Sequence, residues 1–432
     1  MLKILQVTDL HWRRALPGHN GHLERLSRHM PALLERLGER VRDEAPDLVA
    51  VTGDLLDAPH ALLDGDRSHD LAGMVRAAIA DYRAVRDWLE GLGRPWMALP
   101  GNHDYGPAFD VVFGSAPQTL TINGVTIRAF DDWEQAGNQA LRIGASRRRF
   151  EAAIAEATEA TREVHLQHFL VRPTVDYGYP LLYGDADDLA ERAANAPGKR
   201  LLLSGHWHEG TPMVEIGNAR FAGCPAFCEP GHPFRIFTFG ADGAVTMRQE
   251  ELGGSFPAGR ALIVIDRAGL LTGPAAGPGR LAVEEHAAGV IRRLAAHGYV
   301  AVASAWHEPE SDAASWRGVQ YLHDVFFGEL SRAEAEADVF ALYLPAKDSA
   351  ARKLPAEAIA TEETLVGLLA RLFGVAEHEI TFLSLDAGRR AFARRAGAVA
   401  PDIVTPSDLE AFCTALDEGA SQRGLAAAGA AG

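Results

Sequence analysis

The sequence is poor in cysteine, in positive charge and in long apolar runs. Each of these shortages disfavours a class of protein. Three cysteines in 432 residues do not make the disulfide framework of a small secreted protein. Acidic residues outnumber basic ones by 58 to 42, which disfavours an extended nucleic-acid or anionic membrane surface. Its apolar runs are too short for a transmembrane helix or a signal peptide. We therefore expect a cytoplasmic protein without a membrane partner.

What the sequence does contain is a repeated alternation of short apolar runs and amphipathic segments. Over residues 1–252 this pattern indicates strands and helices in an α/β domain. Residues 253–260 are rich in glycine and predict a linker. A second alternation over residues 261–418 predicts another α/β domain, and the tail at 419–432 is predicted to be disordered. The oligomeric state is left open.

Several elements follow from the spacing of apolar residues. Leucines and other apolar side chains at intervals of three and four from Leu23 to Val41 predict a helix with a kink at Pro31. Residues 57–70 predict a polar loop, and residues 147–162 predict a helix. In the second domain a further helix is predicted at residues 314–329.

Chemistry-bearing side chains stand at the ends of five strand-like runs. They occur in the blocks Asp9-Leu10-His11, Gly53-Asp54, Gly101-Asn102-His103-Asp104, His168 and Gly205-His206-Trp207-His208. Open α/β sheets bind ligands at the carboxyl ends of their strands, so these blocks predict one polar site. Carboxylate, amide and imidazole groups together suit a pair of manganese, iron or zinc ions. Two such cations can clamp a phosphate and activate a water.

The ordered series of blocks resembles the calcineurin-like metallophosphoesterase family over roughly residues 1–250. The resemblance implies a four-layer α/β/β/α sandwich and a site with two metal ions. It implies a first metal with the ligands Asp9, His11, Asp54 and His208, and a second metal with the ligands Asp54, Asn102, His168 and His206. It also implies that His103 is the transition-state stabiliser or general acid, and that Asp104 orients His103.

Several other polar residues are weaker candidates for ligands or lining residues of the site. His165 competes with His168 as a ligand, but it falls inside the predicted strand and is disfavoured. Arg13 either contacts a phosphate oxygen or forms an ordinary salt bridge. Trp207 stands between two ligands and is expected to pack. Three further residues are candidates for lining the site: His60, His69 and Asp132.

Two of the cysteines are close enough in sequence to bind one metal ion. Cys224 and Cys228 are four residues apart. Without further cysteines nearby, this spacing favours a structural role over a metal site.

The second domain resembles the haloacid dehalogenase phosphatase superfamily weakly. Asp266 stands where that superfamily has its nucleophile, but Ala268 replaces the general acid/base. Three further positions carry the remaining likeness: Ser304, Lys353 and Asp386. Mg²⁺ binding needs carboxylate ligands, and the sequence has no clear acidic motif for them. Formation of an aspartyl-phosphate needs an acid that protonates the leaving group, and Ala268 stands at that position. We therefore expect a doubly wound, degenerate domain with a structural, docking or regulatory role.

These observations predict a metal-dependent phosphoesterase. By the resemblance, it hydrolyses a phosphate mono- or diester by direct attack of a metal-bound hydroxide. The branch of the family that it resembles most is the cyclic-nucleotide phosphodiesterases, so the expected substrate is a small phosphoester or a nucleotide. Two alternatives stay open at this point. One is a non-catalytic binding protein with a vestigial metal site, and the other is a bifunctional phosphatase that also acts through Asp266.

Overall fold

The chain divides into two units in the computed structural model. The model describes residues 1–16, 25–67, 69–240, 242–256, 260–267, 270–272, 283–305, 326, 339–344 and 362–430. The first unit comprises Met1–Leu16, His29–Ala58 and Leu62–Gly253. The second unit comprises the described residues within Pro17–Arg28, Pro59–Ala61 and Gly254–Gly432.

This division differs from the single boundary predicted at residue 252. Two short stretches from the N-terminal half belong to the second unit. The physical reason is visible at Leu26, which is fully buried in one core cluster with Leu262 and Val264. A buried apolar side chain ties its segment to the core that it helps to fill, whatever its place in the sequence.

A mixed five-stranded sheet forms one half of the first unit. Its strands are β1 (Leu2–Val7), β2 (Leu48–Thr52), β3 (Trp96–Leu99), β10 (Gly231–Phe239) and β11 (Val245–Gly253), in the order β11-β10-β1-β2-β3. The first three strands run parallel, as expected when successive strands are joined through a helix. The two late strands form an antiparallel hairpin beside β1.

A six-stranded sheet forms the other half. Its strands are β4 (Thr119–Ile122), β5 (Val125–Ala129), β6 (Arg162–Leu166), β7 (Lys199–Ser204), β8 (Val214–Ile216) and β9 (Ala219–Gly223), in the order β4-β5-β6-β7-β9-β8. The four inner strands are parallel. Both edges are hairpins, and each turns at a glycine-containing pair, Asn123-Gly124 in one and Gly217-Asn218 in the other.

The two sheets share one apolar core. Ile4 and Met97 from the first sheet pack in the same cluster as Ile127 and Leu203 from the second. These side chains are between 0% and 1% exposed. Burying one face of each sheet against the other is the stable way to remove both from water, and it holds the strand ends of the two sheets in fixed relation.

Among the described residues, five helices belong to the first unit, and a sixth, α2, is divided between the two units. Their bounds are α1 (Met30–Glu44), α2 (His60–Leu63), α3 (Leu71–Gly91), α4 (Gly106–Phe113), α5 (Gly144–Ala155) and α6 (Ala186–Asn195). The predicted kink at Pro31 is wrong, because Pro31 lies in the first turn of α1, where its missing N–H costs nothing. The predicted loop at 57–70 contains α2, and the helix predicted at 147–162 ends at Ala155.

The second unit is built on a parallel four-stranded sheet. The strands are β12 (Ala261–Asp266), β13 (Gly298–Ala305), β14 (Val339–Leu344) and β15 (Ile380–Leu383), in the order β14-β13-β12-β15. Alternate residues of β12 enter two separate apolar clusters, Val264 in one and Ile265 in the other. Both faces of the sheet are therefore covered, as expected of a parallel sheet.

In the part of the second unit that the structure describes, four helices have defined bounds. They are α7 (Ala287–Ala295), α8 (Glu362–Phe373), α9 (Ala387–Arg395) and α10 (Pro406–Ala430). Apart from residue 326, the helix predicted at 314–329 lies outside the described residues, as do Ala268 and Lys353. The disordered tail at 419–432 stays a prediction, and α10 is assigned as far as Ala430. Across the described residues, none of the helices has both the length and the apolar character for crossing a membrane.

Candidate metal centre

The polar blocks all fall just beyond the carboxyl ends of parallel strands. Asp9 and His11 follow β1, Asp54 follows β2, and Asn102 follows β3. In the other sheet, His168 lies two residues after β6, and the pair His206 and His208 follows β7. Since parallel strands present their carboxyl ends at one edge, this placement gathers the side chains of distant blocks.

The backbone at these positions is unusual. Four of the predicted ligands adopt the left-handed region, with φ of 52° at Asp9, 46° at His11, 50° at Asp54 and 68° at His206. Non-glycine residues seldom adopt this conformation, which costs on the order of 1 kcal/mol or more at each position. Such strain concentrates at functional sites, where the turn is what directs the side chain.

Two glycines of the blocks allow the loops to approach one another. A Cβ atom at Gly101 would lie 2.2 Å from Asp54 Oδ1 and 2.7 Å from His168 Nε2. A Cβ atom at Gly205 would lie 2.0 Å from Thr8 Oγ1 and 2.8 Å from Asp9 Oδ2. Any larger residue at either position would push these groups apart.

Asp54 stands at the centre of the site. Its Oδ2 lies 3.6 Å from His11 Nε2 and 3.4 Å from His168 Nε2, one imidazole from each sheet. Its Oδ1 accepts a hydrogen bond of 2.8 Å from the backbone N–H of His103. Burial raises the pKa of Asp54, but the charges of His168 and His103 outweigh it and hold the pKa well below its usual range. One carboxylate thus faces two groups of ligands.

Asp9 is anchored through one oxygen and presents the other. Its Oδ2 accepts hydrogen bonds from Thr8 Oγ1 at 2.6 Å and from the N–H of His206 at 3.1 Å. Its Oδ1 is buried, has no hydrogen-bond partner among the described residues, and lies 3.6 Å from His208 Nε2. A buried acceptor that is left open in this way is suited to a cation.

The orientation of His168 is set by its second nitrogen. Nδ1 lies 2.9 Å from the carbonyl oxygen of Thr52, which requires the proton on Nδ1 and turns Nε2 inward. Nε2 lies 3.1 Å from Asn102 Oδ1. Burial lowers the pKa of His168, but Asp54 and Asp9 raise it to about 9 overall. A metal ion would take the place of that proton.

His206 completes this side of the site. Its Nε2 is buried without a hydrogen-bond partner among the described residues. Burial first, and the charge of His168 next, lower its pKa well below the usual value, so the ring is neutral. A neutral imidazole with an unused lone pair is the form that binds metal.

The donor atoms form overlapping clusters of metal-binding size. Asp9, His11 and Asp54 make one cluster, and Asp54, His168 and His206 make another, with the donor atoms of each within 4.8 Å of one another. Asp54 belongs to both. The residues present therefore fit a pair of cations with a shared carboxylate, and the oxygen and nitrogen donors suit manganese, iron or zinc.

The carboxylate beside His103 is Asp57, which the sequence reasoning missed. Asp57 Oδ1 lies 3.5 Å from His103 Nδ1 and 3.7 Å from His11 Nδ1. Burial raises the pKa of Asp57, but its contacts with His103 and His11 hold it well below the usual value. Asp57 follows Asp54 by three residues in the turn after β2, and this spacing was the available signal.

Asp104 does not have the role that the resemblance implied. Its carboxylate accepts hydrogen bonds from the N–H groups of Gly101, Leu55 and Leu56 and from the Tyr82 hydroxyl, all between 2.8 and 3.0 Å. These four donors occupy both oxygens. Asp104 therefore joins the loops after β2 and β3 beneath the site, and the prediction that it orients the His103 ring is corrected in favour of Asp57.

The weaker candidates fall into different places. Arg13 is buried, and its Nη1 lies 3.4 Å from Asp57 Oδ2, so it is part of an internal ion pair. Asp132 is buried and pairs with Arg142 at 2.8 Å. His165 is buried 3.3 Å from a Glu163 oxygen, away from the ligand clusters, which leaves His168 as the better ligand.

The remaining candidates add little to the site. His69 Nε2 lies 3.9 Å from an Asp66 oxygen. His60 belongs to the second unit. The Trp207 ring contacts the Tyr177 ring at a centroid distance of 5.0 Å, which is the packing role expected of it.

These features define a class of site: a candidate two-metal centre at the carboxyl edge of two facing sheets. Residues 2–210 match the model of the calcineurin-like phosphoesterase family. The chain is also similar to a probable cyclic nucleotide phosphodiesterase from Synechococcus sp., with 28% identity over 233 residues, 52% of this chain and 80% of that protein. These matches support the calcineurin-like metallophosphoesterase family for this region, and a hydrolase acting on phosphoesters.

Solved structures show two further similarities. A dimetal phosphatase from Danio rerio has 12% identity and a TM-score of 0.43, over 58% of this chain and 96% of that one. A D,D-heptose 1,7-bisphosphate phosphatase from Burkholderia thailandensis has 14% identity and a TM-score of 0.25, over 36% of this chain and 97% of that one. At these TM-scores the similarities carry no further argument.

Proposed function

We propose that the first unit is a dinuclear metal-dependent hydrolase of phosphate esters. The position of Asp54 carries this proposal, because one carboxylate oxygen lies within 3.6 Å of His11 and 3.4 Å of His168. In this arrangement Asp9, His11, Asp54 and His208 would hold one ion. Four residues would hold the other: Asp54, Asn102, His168 and His206.

The ions would supply positive charge that offsets the charge of the phosphoryl group and makes water a stronger nucleophile. The protein's own contribution is to hold the ligands rigidly. Thr8, Thr52 and Glu229 each contact a ligand on the side away from the clusters. Such supporting contacts fix the ring and carboxylate orientations.

His103 is the group that we assign to proton transfer. Its side chain is 23% exposed, whereas His11 is fully buried, so His103 is accessible to a substrate. Asp57 lies beside Nδ1, which leaves Nε2 as the nitrogen that can give a proton to the leaving oxygen. Asp57 is thus a positioning residue for His103.

A small diester is the favoured substrate within this proposal. The relative from Synechococcus sp. is named as a probable cyclic nucleotide phosphodiesterase, and the match spans 80% of that protein. A cyclic nucleotide also agrees with the acidic chain, which has no excess of basic residues for binding long nucleic acids. A screen of phosphate monoesters and diesters tests which class of ester the protein hydrolyses.

For the second unit we propose a degenerate phosphatase fold without turnover of its own. Asp266 ends the inner strand β12, and both Ser384 and Arg389 contact its Oδ2. Arg389 therefore supplies beside this carboxylate the positive charge that a metal ion would bring. The proposal agrees with the expectation from the sequence that this unit has a structural, docking or regulatory role.

The test is metal reconstitution followed by turnover of bis-p-nitrophenyl phosphate. We expect Mn²⁺-loaded protein to bind about two ions per chain and to hydrolyse the diester. His206→Ala should lose one ion and essentially all activity. His378→Ala, which changes an exposed histidine of the second unit, is the matched control and should keep both. Metal-free, inactive wild-type protein would instead favour a binding protein with a vestigial site.

A further inference from the structure

The loop after β9 is fastened to the metal centre by its backbone. The N–H of Phe227 donates to the carbonyl of Thr8 at 3.0 Å, and the N–H of Cys228 donates to the carbonyl of Asp9 at 3.1 Å. One residue earlier, the N–H of Ala226 donates to the carbonyl of His208 at 2.9 Å. This loop is therefore held against two of the ligand-bearing loops, and its side chains have defined positions there.

The Cys228 thiol faces one half of the centre. Its Sγ, a nitrogen of His11 and a nitrogen of His208 all lie within 4.8 Å of one another. His11 also belongs to the cluster with Asp9 and Asp54. Cys228 is fully buried, so the sulfur is shielded from solvent and directed at this group of ligands.

We propose that Cys228 supplies a thiolate ligand to the ion held by Asp9, His11 and His208. The inference rests on the proposed two-metal centre and adds a residue to it. Thiolate is a soft donor that favours zinc, iron or cobalt over magnesium or manganese, and it binds in the deprotonated form. With Cys228 the first position has a donor that the second position lacks, so the two positions prefer different ions.

Cys224 shows what a structural cysteine looks like in the same loop. Its Sγ donates to the carbonyl oxygen of Gln6 at 3.7 Å. Burial raises the pKa of Cys224 to about 12, so it stays a thiol. The sequence favoured a structural role for both cysteines, and the structure separates them. Cys224 is therefore the matched control for Cys228.

The experiment uses Co²⁺ as the probe, in full-length protein. Metal-free wild type, Cys228→Ser and Cys224→Ser are each titrated with Co²⁺, and bound cobalt is counted by elemental analysis. A thiolate bound to Co²⁺ gives an intense near-ultraviolet charge-transfer band, whereas nitrogen and oxygen ligands give only the weak visible bands. We expect the intense band in wild type and Cys224→Ser, its loss in Cys228→Ser, and weaker cobalt binding there by about tenfold or more.

Each other outcome has a definite meaning. Cobalt bound to wild type without the intense band, or a band that survives in Cys228→Ser, overturns the thiolate ligand and leaves the two-metal centre standing. A band that both cysteine substitutions remove overturns the assignment to Cys228 alone. Protein that binds no cobalt at all overturns the proposed function itself.

Loss of folding in Cys228→Ser would not leave the proposal open. X-ray absorption of zinc-loaded Cys224→Ser protein then decides, because a Zn–S distance of about 2.3 Å is separable from Zn–N and Zn–O distances of about 2.0–2.2 Å. A sulfur scatterer supports the proposal. A shell of nitrogen and oxygen alone overturns it.

Discussion

Gly101→Ala is the smallest change that tests the geometry of the centre. The added methyl group would lie 2.2 Å from Asp54 Oδ1, 2.6 Å from the Asp54 backbone nitrogen and 2.7 Å from His168 Nε2. Real Cβ atoms essentially never approach a heavy atom closer than 3.0 Å. The Asp54 oxygen must therefore move by about 0.8 Å, the difference between 3.0 and 2.2 Å.

The size of this shift sets the expected effect. Because one of the crowded atoms is backbone, a rotamer change of Asp54 cannot relieve the contact. Overpacking of this kind costs about 1–3 kcal/mol of unfolding free energy. A catalytic group displaced by about 1 Å costs on the order of 100-fold in turnover. We expect both effects: a lower free energy of unfolding and a turnover that is lower by about 100-fold.

The assay compares Gly101→Ala with Gly91→Ala. Gly91 ends α3, and a Cβ there meets nothing within 4 Å, so this control adds the same methyl group without crowding. Thermal unfolding, bound metal and turnover of bis-p-nitrophenyl phosphate are measured for both. A Gly101→Ala protein with two bound ions and wild-type turnover would refute the central position of Asp54.

The remaining predictions concern other parts of the chain. Asp57→Asn should keep both metal ions but lower kcat by about 100-fold or more, because His103 loses its positioning carboxylate. Elemental analysis measures the bound metal, and steady-state kinetics measure kcat. Asp266→Asn should leave phosphatase activity unchanged, and a Mg²⁺-dependent monoesterase activity that disappears in this variant would show that the second unit is active. Burial lowers the pKa of His232 to about 4, from an ordinary value of 6.5. Since the folded state resists protonating this ring, its contribution to stability is complete above pH 6.5 and is lost as the pH falls from 6.5 toward 4. His232→Asn should therefore lose less unfolding free energy than wild type between pH 7 and pH 5 in denaturant titrations, and an equal loss would contradict this assignment.

The inner strands and the polar blocks that follow them could be predicted from the sequence alone. The apolar runs that became β1, β2 and β3 are short, continuous and bounded by polar or glycine residues. Their polar ends had to gather at one edge, because parallel strands share a direction. This is why Asp54 and Asn102 could be placed together without coordinates.

Contacts between distant loops depend on three-dimensional packing and could not be predicted from the sequence. By the resemblance, Asp104 was expected to orient His103. The Asp104 carboxylate instead accepts hydrogen bonds from backbone N–H groups of two loops, and Asp57 lies beside the His103 ring. The thiols of Cys224 and Cys228 are alike in sequence and differ only in what their loop brings near them. Hydrogen bonding and ligation depend on distances of a few tenths of an ångström. The turns that set those distances have left-handed backbone at non-glycine residues. No sequence pattern predicts these turns.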